Sequence, residues 1–224
     1  MKMFKSSGIT TIFLLSITIF ITLLLGNHIY KPIEKFTCKT TIIVSRYNED
    51  VEWTKQFDNL IIYNKGNELD DTYPDVRVLK NVGREGHTYY NYICENYDNL
   101  SDYTFFLQGN PFDHCPYIVE KINGFSETDF EHLGIEEKHY DFTLTGDKIH
   151  TDIPLLDVFE MLFGKVENKD EKMDFVSGGQ FVVSKKQILK RPREFYLKIV
   201  KMLEYHVNPI EGYVIERFHK RIFT

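Results

Sequence analysis

Strand-like segments that alternate with helix-like segments constrain the fold of this chain more than any other feature. Runs of strand length, rich in β-branched and aromatic residues, occupy residues 40–44, 59–63, 76–79 and 103–107. Helical patterns occupy residues 86–97 and 116–122, and the second of these begins at a proline. Because strands that alternate with helices build a largely parallel sheet flanked by helices, the sequence predicts an α/β fold of the Rossmann-like, nucleotide-binding kind.

The second half of the chain continues this pattern with two more strands and a long helix. Residues 174–184 predict a strand pair bent at Gly178 and Gly179, and residues 185–204 predict a helix broken at Pro192. The chain has 224 residues, of which 42% are hydrophobic, and this is enough for one sizeable core. We therefore expect residues 40–224 to form a single α/β domain.

The N-terminal segment differs from the rest because residues 9–25 contain no charge and no proline. As a helix, this run would span about 26 Å, close to the roughly 30 Å of a bilayer's hydrocarbon core. A cleaved signal peptide is the alternative, but Leu24 and Gly26 do not form a small-x-small cleavage pattern. The sequence therefore predicts a single-pass protein. It would have a cytoplasmic tip and transmembrane anchor over residues 1–30, a stem over residues 31–39, and a lumenal or extracytoplasmic domain.

Charge excludes one class of partner. The formal net charge is −6, and the first thirty residues hold two Lys and no acid, so the remainder carries −8. Proteins that bind nucleic acid through a general basic surface need clustered Lys and Arg, so we expect no nucleic-acid partner.

Among the three cysteines, Cys94 and Cys115 could form a disulfide, which would leave Cys38 unpaired.

Polar residues follow each of the four early strands, in residues 45–50, 64–66, 81–87 and 108–114. The carboxyl ends of parallel strands lie side by side, and open α/β sheets bind their ligands at this edge. We therefore expect six side chains that are distant in sequence to share one crevice. They are Asn48, Glu49, Arg84, His87, Asp113 and His114.

The residue types at this edge suit a nucleotide diphosphate. Arg84 offers a planar fork of donors to a phosphate, and Gly83 and Gly86 allow backbone amides at a helix start to approach an anion. The polar and acidic residues after the first strand can accept hydrogen bonds from a base or a ribose. The predicted nucleotide-binding residues are Arg46, Asn48, Glu49, Asp50, Gly83, Arg84 and His87.

Asp113 and His114 offer a hard oxygen and an imidazole nitrogen, and either of these could hold Mn²⁺ or Mg²⁺ against that diphosphate. Each candidate also has a structural alternative. Asp113 could cap the helix that begins near Pro116, and the acids after the first strand could be a helix cap as well. His87 could be a buried helix residue, and Arg84 could pair with a neighbouring acid on the surface.

Six blocks of the chain together resemble one known family. The blocks read VSRYNEDVEW, IIYNKG, NVGREGHTYYNYI, YTFFLQGNPFDH, SGGQFVVSKKQIL and GYVIERFHKRIF. They look like the successive blocks of the family catalogued as domain of unknown function 3431, which occurs in fungi, bacteria and large viruses. The resemblance covers residues 41–223, and the family's layout is similar to that of nucleotide-sugar glycosyltransferases of the GT-A type. The resemblance therefore implies a GT-A-like fold and a transferase activity.

The resemblance also implies roles for residues of the second half. The block that begins SGGQF is similar to the glycine-containing acceptor-side strand of such enzymes. Glu216, or else Glu211, would be the carboxylate base that deprotonates an acceptor hydroxyl. In the alternative interpretation, Glu216 is an exposed helix acid paired with Lys220. The acceptor-binding candidates are Gly178, Gly179 and Gln180.

These observations predict a membrane-anchored protein that transfers a hexosyl or pentosyl group from a nucleotide-sugar to a glycan hydroxyl, with Glu216 and Asp113 as catalytic candidates. Most metal-dependent GT-A enzymes carry Asp-x-Asp after the fourth strand, where this chain has QGN in residues 108–110. Two alternatives stay open. One is a non-catalytic, membrane-tethered carbohydrate-binding protein, and the other is a metal-dependent hydrolase that uses His87, Asp113 and His114.

Overall fold

The computed structural model describes residues 38–140, 152–167 and 173–224. The apolar run of residues 9–25 lies outside these ranges, so the anchor, the stem and the side of the membrane stay predictions. Within the described ranges, no helix is both long enough and apolar enough to cross a membrane. Helices and strands are numbered below in the order in which they occur in these ranges.

In the part of the chain that the structure describes, eight strands form two sheets. They are β1 (Thr40–Arg46), β2 (Leu60–Asn64), β3 (Val76–Val78), β4 (Tyr103–Gln108), β5 (Phe130–His132), β6 (Glu137–Tyr140), β7 (Met173–Val176) and β8 (Phe181–Ser184). The central sheet has the order β3-β2-β1-β4-β8-β5, and β6 pairs with β7 separately. β1 is parallel to β2 and β4, and β2 is parallel to β3, whereas β8 is antiparallel to β4 and β5. The prediction of a mixed α/β fold with a mostly parallel sheet is confirmed.

Six α-helices accompany the sheets in the described residues. They are α1 (Arg84–Asn96), α2 (Ile118–Asn123), α3 (Leu155–Phe163), α4 (Lys185–Ile188), α5 (Arg193–Leu203) and α6 (Ile210–Phe223), and two 3-10 helices occupy Glu52–Gln56 and Tyr97–Asn99. The predicted break at Pro192 is confirmed, because α5 begins directly after this residue. Proline has no backbone N–H, so it fits a helix start and not a helix interior.

The central sheet is buried on both faces, which explains why its middle strands read as continuous apolar runs. Alternate residues of a strand point to opposite faces. Ile43 and Phe106 belong to the core that also contains side chains of α1, α5 and α6. Ile42 and Phe105 belong to a second core on the other face, together with Ile118 of α2. The sheet therefore holds its strand ends in a rigid, two-sided frame.

All three cysteines are free thiols. Cys94 is buried in the core beneath α1, whereas Cys115 is buried in the core on the opposite face of the sheet. The pairing of Cys94 with Cys115 that spacing allowed does not form, because the sheet separates the two side chains.

The two strands predicted within residues 174–184 both form, but they do not pair with each other. β7 pairs with β6, whereas β8 lies between β4 and β5 in the central sheet. The turn between them contains Gly178 with φ 104° and Gly179 with φ 62°, which are backbone conformations that glycine adopts readily. This turn carries the chain from one sheet to the other. The sequence patterns did not predict β5, β6 or α3, and three residues are too few for β5 to show a strand period.

Candidate functional site

A cleft of about 610 Å³ opens at the carboxyl ends of the parallel strands, and we call it the main cleft. It lies where the strand order reverses, since β2 and β3 extend the sheet on one side of β1 and β4 lies on the other side. Open α/β sheets bind their ligands at such a switch point. The side chains that line the main cleft include Arg46, Glu49, Lys65, Arg84, Gln108 and Asp113.

Arg46 and Asn48 hold the loops that follow β1 and β2 together. The Nε atom of Arg46 donates to the Glu49 carbonyl at 2.9 Å, and its Nη1 atom donates to the Asn64 side-chain oxygen at 2.7 Å. The Asn48 side-chain oxygen accepts a hydrogen bond from the Asn67 amide at 2.9 Å. Both predicted nucleotide contacts are therefore engaged in fixing the wall of the cleft, and Arg46 also lines it.

The two acids that follow have different surroundings. Glu49 lines the main cleft, and its Oε2 atom accepts a hydrogen bond from the Tyr47 amide at 2.6 Å. Asp50 accepts from the Glu52 amide at 2.9 Å, at the start of the 3-10 helix Glu52–Gln56. Asp50 thus stabilises a local turn ahead of this helix, whose N-cap position is Val51 and has no side-chain cap, whereas Glu49 presents its carboxylate to the cleft.

The first turn of α1 is already hydrogen-bonded to the loop between α5 and α6. The Gly83 amide donates to the His206 carbonyl at 2.8 Å, and the Arg84 amide donates to the Val207 carbonyl at 3.2 Å. A Cβ atom on Gly83 would lie 2.5 Å from the Cβ of His87, so packing requires a glycine here. The Gly83 amide therefore already has a protein acceptor, and anion binding at this helix start stays a prediction.

Arg84 has the left-handed backbone conformation, with φ 49°, which is uncommon for a residue with a side chain. Its guanidinium carbon lies 4.5 Å from the ring centroid of Tyr213, and its Nε atom lies 3.5 Å from Glu85 Oε2. The Lys65 ammonium donates to the Val82 carbonyl at 2.8 Å and also to the Arg84 carbonyl. These contacts hold the strained segment in place and aim the Arg84 side chain at the cleft.

Lys65 is a buried cation that the sequence did not single out. Burial lowers the pKa of Lys65 to about 8, and the negative charge of Glu85 opposes this effect. A buried ionisable group with a perturbed pKa in a cleft is a common mark of a functional site. Its position directly after β2, at the same edge as the other candidates, is the sequence feature that could have identified Lys65 as a candidate.

His87 belongs to the packing of α1 and does not line the main cleft. Its side chain is buried, and burial lowers its pKa to about 4, with help from the positive charges of Lys65 and Lys80. The imidazole is therefore neutral at physiological pH. This is the buried helix residue of the structural alternative, and the structure does not bring His87 together with Asp113 or His114.

A second cavity of about 380 Å³ adjoins the main cleft, and Arg84 and Gln108 line both. We call it the Glu216 cavity. The Oε1 atom of Glu216 accepts a hydrogen bond from the Gly178 amide at 2.8 Å, so this carboxylate faces the turn before β8 and not the exposed Lys220. Glu211, the other candidate, instead accepts from the Tyr205 hydroxyl at 2.7 Å.

The pKa of Glu216 is raised above the ordinary value for a glutamate. Burial is the largest cause, and the negative charge of Glu85 adds to it. The Gly178 amide and the positive charges of Arg84 and Arg217 oppose the shift. A carboxylate whose pKa is moved towards neutrality, in a cavity, has the properties of a general base or acid.

The three predicted acceptor-binding residues have distinct roles. A Cβ atom on Gly178 would lie 2.5 Å from both Cβ and Cγ of His114, and one on Gly179 would lie 3.3 Å from Glu85 Oε1. Gly178 lines the Glu216 cavity, and the short distances to His114 leave no room for a side chain at this position. Gln180 is buried, and its side-chain amide donates to the Pro111 carbonyl at 3.0 Å, which ties β8 to the loop after β4.

Asp113 and His114 line different cavities. Asp113 lines the main cleft, and its Oδ2 atom accepts from the Asn110 side-chain amide at 3.2 Å, whereas His114 lines the Glu216 cavity. α2 begins at Ile118, and no side chain caps it, so Asp113 is not its N-cap. Within the described ranges, no group of three or more His, Cys, Asp or Glu side chains could hold a metal ion. Asp113 and His114 therefore face different cavities, and the prediction that either could hold a divalent cation stays a prediction.

A third cavity of about 420 Å³ joins the main cleft at Glu49 and Asn110, which line both. Trp53 and Phe112 form its apolar side, with ring centroids 5.7 Å apart and planes at 78°, and we call it the aromatic cavity. The Trp53 indole N–H donates to the Gly109 carbonyl at 3.0 Å. The sequence did not indicate this cavity, because its two rings lie 59 residues apart, Trp53 in the 3-10 helix Glu52–Gln56 and Phe112 in the loop after β4.

This geometry defines an α/β protein with a cleft at the strand-order switch and an ionisable carboxylate in the adjoining cavity. The chain belongs to the family described as Protein of unknown function (DUF3431), whose model matches residues 42–116 and 131–224. The family resemblance of the six sequence blocks is thereby confirmed. Comparison with curated proteins found no match, and comparison with solved structures found none either.

Proposed function

We propose that this protein transfers a sugar from a nucleotide-sugar to a hydroxyl group of a glycan. One observation carries the proposal: Arg84 and Gln108 line both the main cleft and the Glu216 cavity. A transferase must hold a donor and an acceptor with their reacting atoms in contact, and two cavities that meet at a cationic side chain meet this requirement.

The main cleft is the donor side of the proposed site. Its volume of about 610 Å³ lies within the usual range of small-molecule sites, roughly 300–1,000 Å³. The strand order β3-β2-β1-β4 matches the first four strands of a Rossmann-type nucleotide-binding sheet, and it agrees with the GT-A layout that the family resemblance implies. Arg84 would bind the diphosphate, because a guanidinium matches the geometry of phosphate oxygens.

A divalent cation fits this donor side with one protein ligand. Asp113 is an exposed carboxylate in the main cleft, and Mg²⁺ is commonly bound through one or two carboxylates plus substrate phosphates. Asp113 would therefore hold Mg²⁺ or Mn²⁺ together with the diphosphate. Such an ion supplies positive charge that stabilises the departing nucleoside diphosphate.

The Glu216 cavity is the acceptor side. Glu216 would take the proton of an acceptor hydroxyl as the hydroxyl oxygen forms a bond to the anomeric carbon. The bond from that carbon to the diphosphate oxygen breaks, and its electron pair leaves with the nucleoside diphosphate next to Arg84. General base catalysis of this kind contributes about 10²–10⁴-fold.

The N-terminal apolar run completes the proposal. Residues 9–25 would anchor the α/β domain to a membrane as an uncleaved span, with the domain on the lumenal or extracytoplasmic side. Glycan acceptors on that side of the membrane would then be within reach of the cleft.

A thermal-shift screen of the purified full-length chain against UDP-, GDP- and CMP-sugars, with and without Mn²⁺, tests the proposed function. At a hundred times its Kd, a nucleotide-sugar stabilises the folded state by about 2.7 kcal/mol, so we expect Tm to rise by about 5–10 °C. A metal-dependent hydrolase would respond to metal alone, and a glycan-binding protein would respond to neither. No response to any nucleotide-sugar would contradict the proposal.

Arg84→Ala should weaken donor binding about 10- to 100-fold, because a charge-assisted hydrogen bond to phosphate contributes about 1.5–3 kcal/mol. The matched control is Arg77→Ala, since Arg77 is a half-exposed arginine that pairs with Asp75 at 2.9 Å and does not line the main cleft. Calorimetric titration with the best nucleotide-sugar of the screen measures both variants. If Arg84→Ala binds the donor with wild-type affinity, Arg84 does not bind the diphosphate.

The acid limb of the pH–rate profile should follow Glu216, because a general base must be deprotonated to work. Since the pKa of Glu216 is raised, activity should appear only above the ordinary glutamate pKa of about 4.3. Glu85→Gln removes a negative charge that raises this pKa, so the acid limb should move to lower pH. Glu211→Gln should leave it in place. If the acid limb does not move in Glu85→Gln, the group that titrates there is not Glu216.

A further inference from the structure

The aromatic cavity has two rigid apolar walls set at a corner. The ring planes of Trp53 and Phe112 are nearly perpendicular, and the hydrogen bond from the Trp53 indole to the Gly109 carbonyl fixes the orientation of the larger ring. Phe112 is 37% exposed, so its ring is accessible at the surface. A corner of this kind can cover one apolar face and one edge of a six-membered ring.

The polar side of the aromatic cavity consists of Glu49, Asp50 and Asn110. One oxygen of each carboxylate accepts a backbone amide, from Tyr47 at 2.6 Å and from Glu52 at 2.9 Å. These bonds orient the carboxylates before any ligand arrives, and a carboxylate accepts strong hydrogen bonds from hydroxyl groups. The residues that line this cavity include no Lys, Arg or His.

This combination selects among ligand classes. A phosphate, sulfate or uronate would be repelled by two carboxylates that no lining cation offsets, whereas hydroxyl groups would be bound by them. A sugar ring presents hydroxyl groups at its rim and apolar C–H groups on its face. Arg84, the cation assigned to the donor phosphates, lines the main cleft and the Glu216 cavity but not the aromatic cavity.

We propose that the aromatic cavity is a binding subsite for an uncharged sugar ring of a glycan, with Trp53 and Phe112 against the ring and Glu49 and Asp50 on its hydroxyl groups. The shared residues Glu49 and Asn110 connect the subsite to the main cleft, so a glycan held there lies beside the proposed catalytic site. The inference does not depend on sugar transfer, because a glycan-binding protein could use the same subsite.

The experiment uses Trp53 itself as the reporter, because it is the only tryptophan of the chain. The full-length protein is titrated with neutral methyl glycosides of glucose, galactose, mannose and xylose, with methyl glucuronide, and with uridine, while tryptophan emission is recorded. We expect at least one neutral glycoside to change the emission saturably. The glucuronide should bind more weakly than the matching glucoside.

Two variants examine the two sides of the cavity. Asp50→Asn keeps a side-chain oxygen that can accept the Glu52 amide but removes the charge, and Phe112→Ala removes one wall. Each should weaken binding of the neutral glycoside about three- to tenfold, whereas Tyr117→Ala, which alters an aromatic residue that is 66% exposed outside the cavity, should not.

Four results would overturn the inference: no emission change with any neutral glycoside, a response to uridine alone, equal affinity for glucoside and glucuronide, or unchanged affinity in both cavity variants. None of them decides whether the protein is a transferase. That question is answered by the response of Tm to nucleotide-sugars.

Discussion

Glu216→Gln should lower sugar transfer by about 10²–10⁴-fold while leaving donor affinity and Tm close to those of the wild type. Glutamine has the same shape, and its side-chain oxygen can still accept the hydrogen bond that the Gly178 amide makes to Glu216 at 2.8 Å. What the variant loses is the capacity to take a proton. The effect should therefore fall on kcat and not on binding of the nucleotide-sugar.

The control for this variant lies on the same helix. Glu211→Gln makes the same chemical change in α6, where Glu211 accepts from the Tyr205 hydroxyl at 2.7 Å and does not line the Glu216 cavity. It should retain turnover within about threefold, as expected of a residue outside the chemistry. If Glu216→Gln has wild-type turnover, Glu216 is not the general base, and the proposed site then has no assigned base.

Gly178→Ala should destabilise the fold by about 2–6 kcal/mol, from about 1–3 kcal/mol of backbone strain and about 1–3 kcal/mol of overpacking. Its φ is 104°, and the new Cβ atom would lie 2.5 Å from Cβ and Cγ of His114. Because these are the root atoms of a side chain, the neighbouring backbone must move. That movement would also displace the amide that binds Glu216, so activity should fall together with Tm.

Gly164→Ala separates strain from overpacking. Gly164 also has a left-handed φ, 91°, but its added Cβ atom would meet no described atom within 4 Å. It should cost only the strain, about 1–3 kcal/mol, and should leave turnover of the remaining folded protein unchanged. Chemical denaturation measures both variants. Equal losses of stability in the two would show that the contact between Gly178 and His114 is not tight.

The parts of this fold that depend on local pattern were predictable, and the parts that depend on distant partners were not. The runs at residues 40–44 and 103–107 became β1 and β4 because a strand buried on both faces must be apolar throughout. In contrast, the sequence pattern of residues 174–184 indicates two strands but not the strands with which they pair. The choice of β6 for β7, and of β4 and β5 for β8, depends on contacts far apart in the chain.

The same distinction applies to the candidate site. Glu49, Arg84 and Asp113 could be expected at one edge because each follows a parallel strand, and the structure places all three around the main cleft. The sequence does not reveal that His206 accepts the Gly83 amide, or that Lys65 holds the Arg84 carbonyl. Those contacts decide which groups stay available to a ligand, and they join segments that are far apart in the sequence.

The most direct test of sugar transfer is the release of nucleoside diphosphate from the nucleotide-sugar that stabilises the protein most. Release is measured with and without glycan acceptor, for the wild type and for Glu216→Gln. We expect acceptor to accelerate release by the wild type, Glu216→Gln to lower this accelerated rate by about 10²–10⁴-fold, and both proteins to bind the donor equally. Donor binding with no acceptor-dependent release, or release that is unchanged in Glu216→Gln, would show that the protein does not transfer sugar through Glu216.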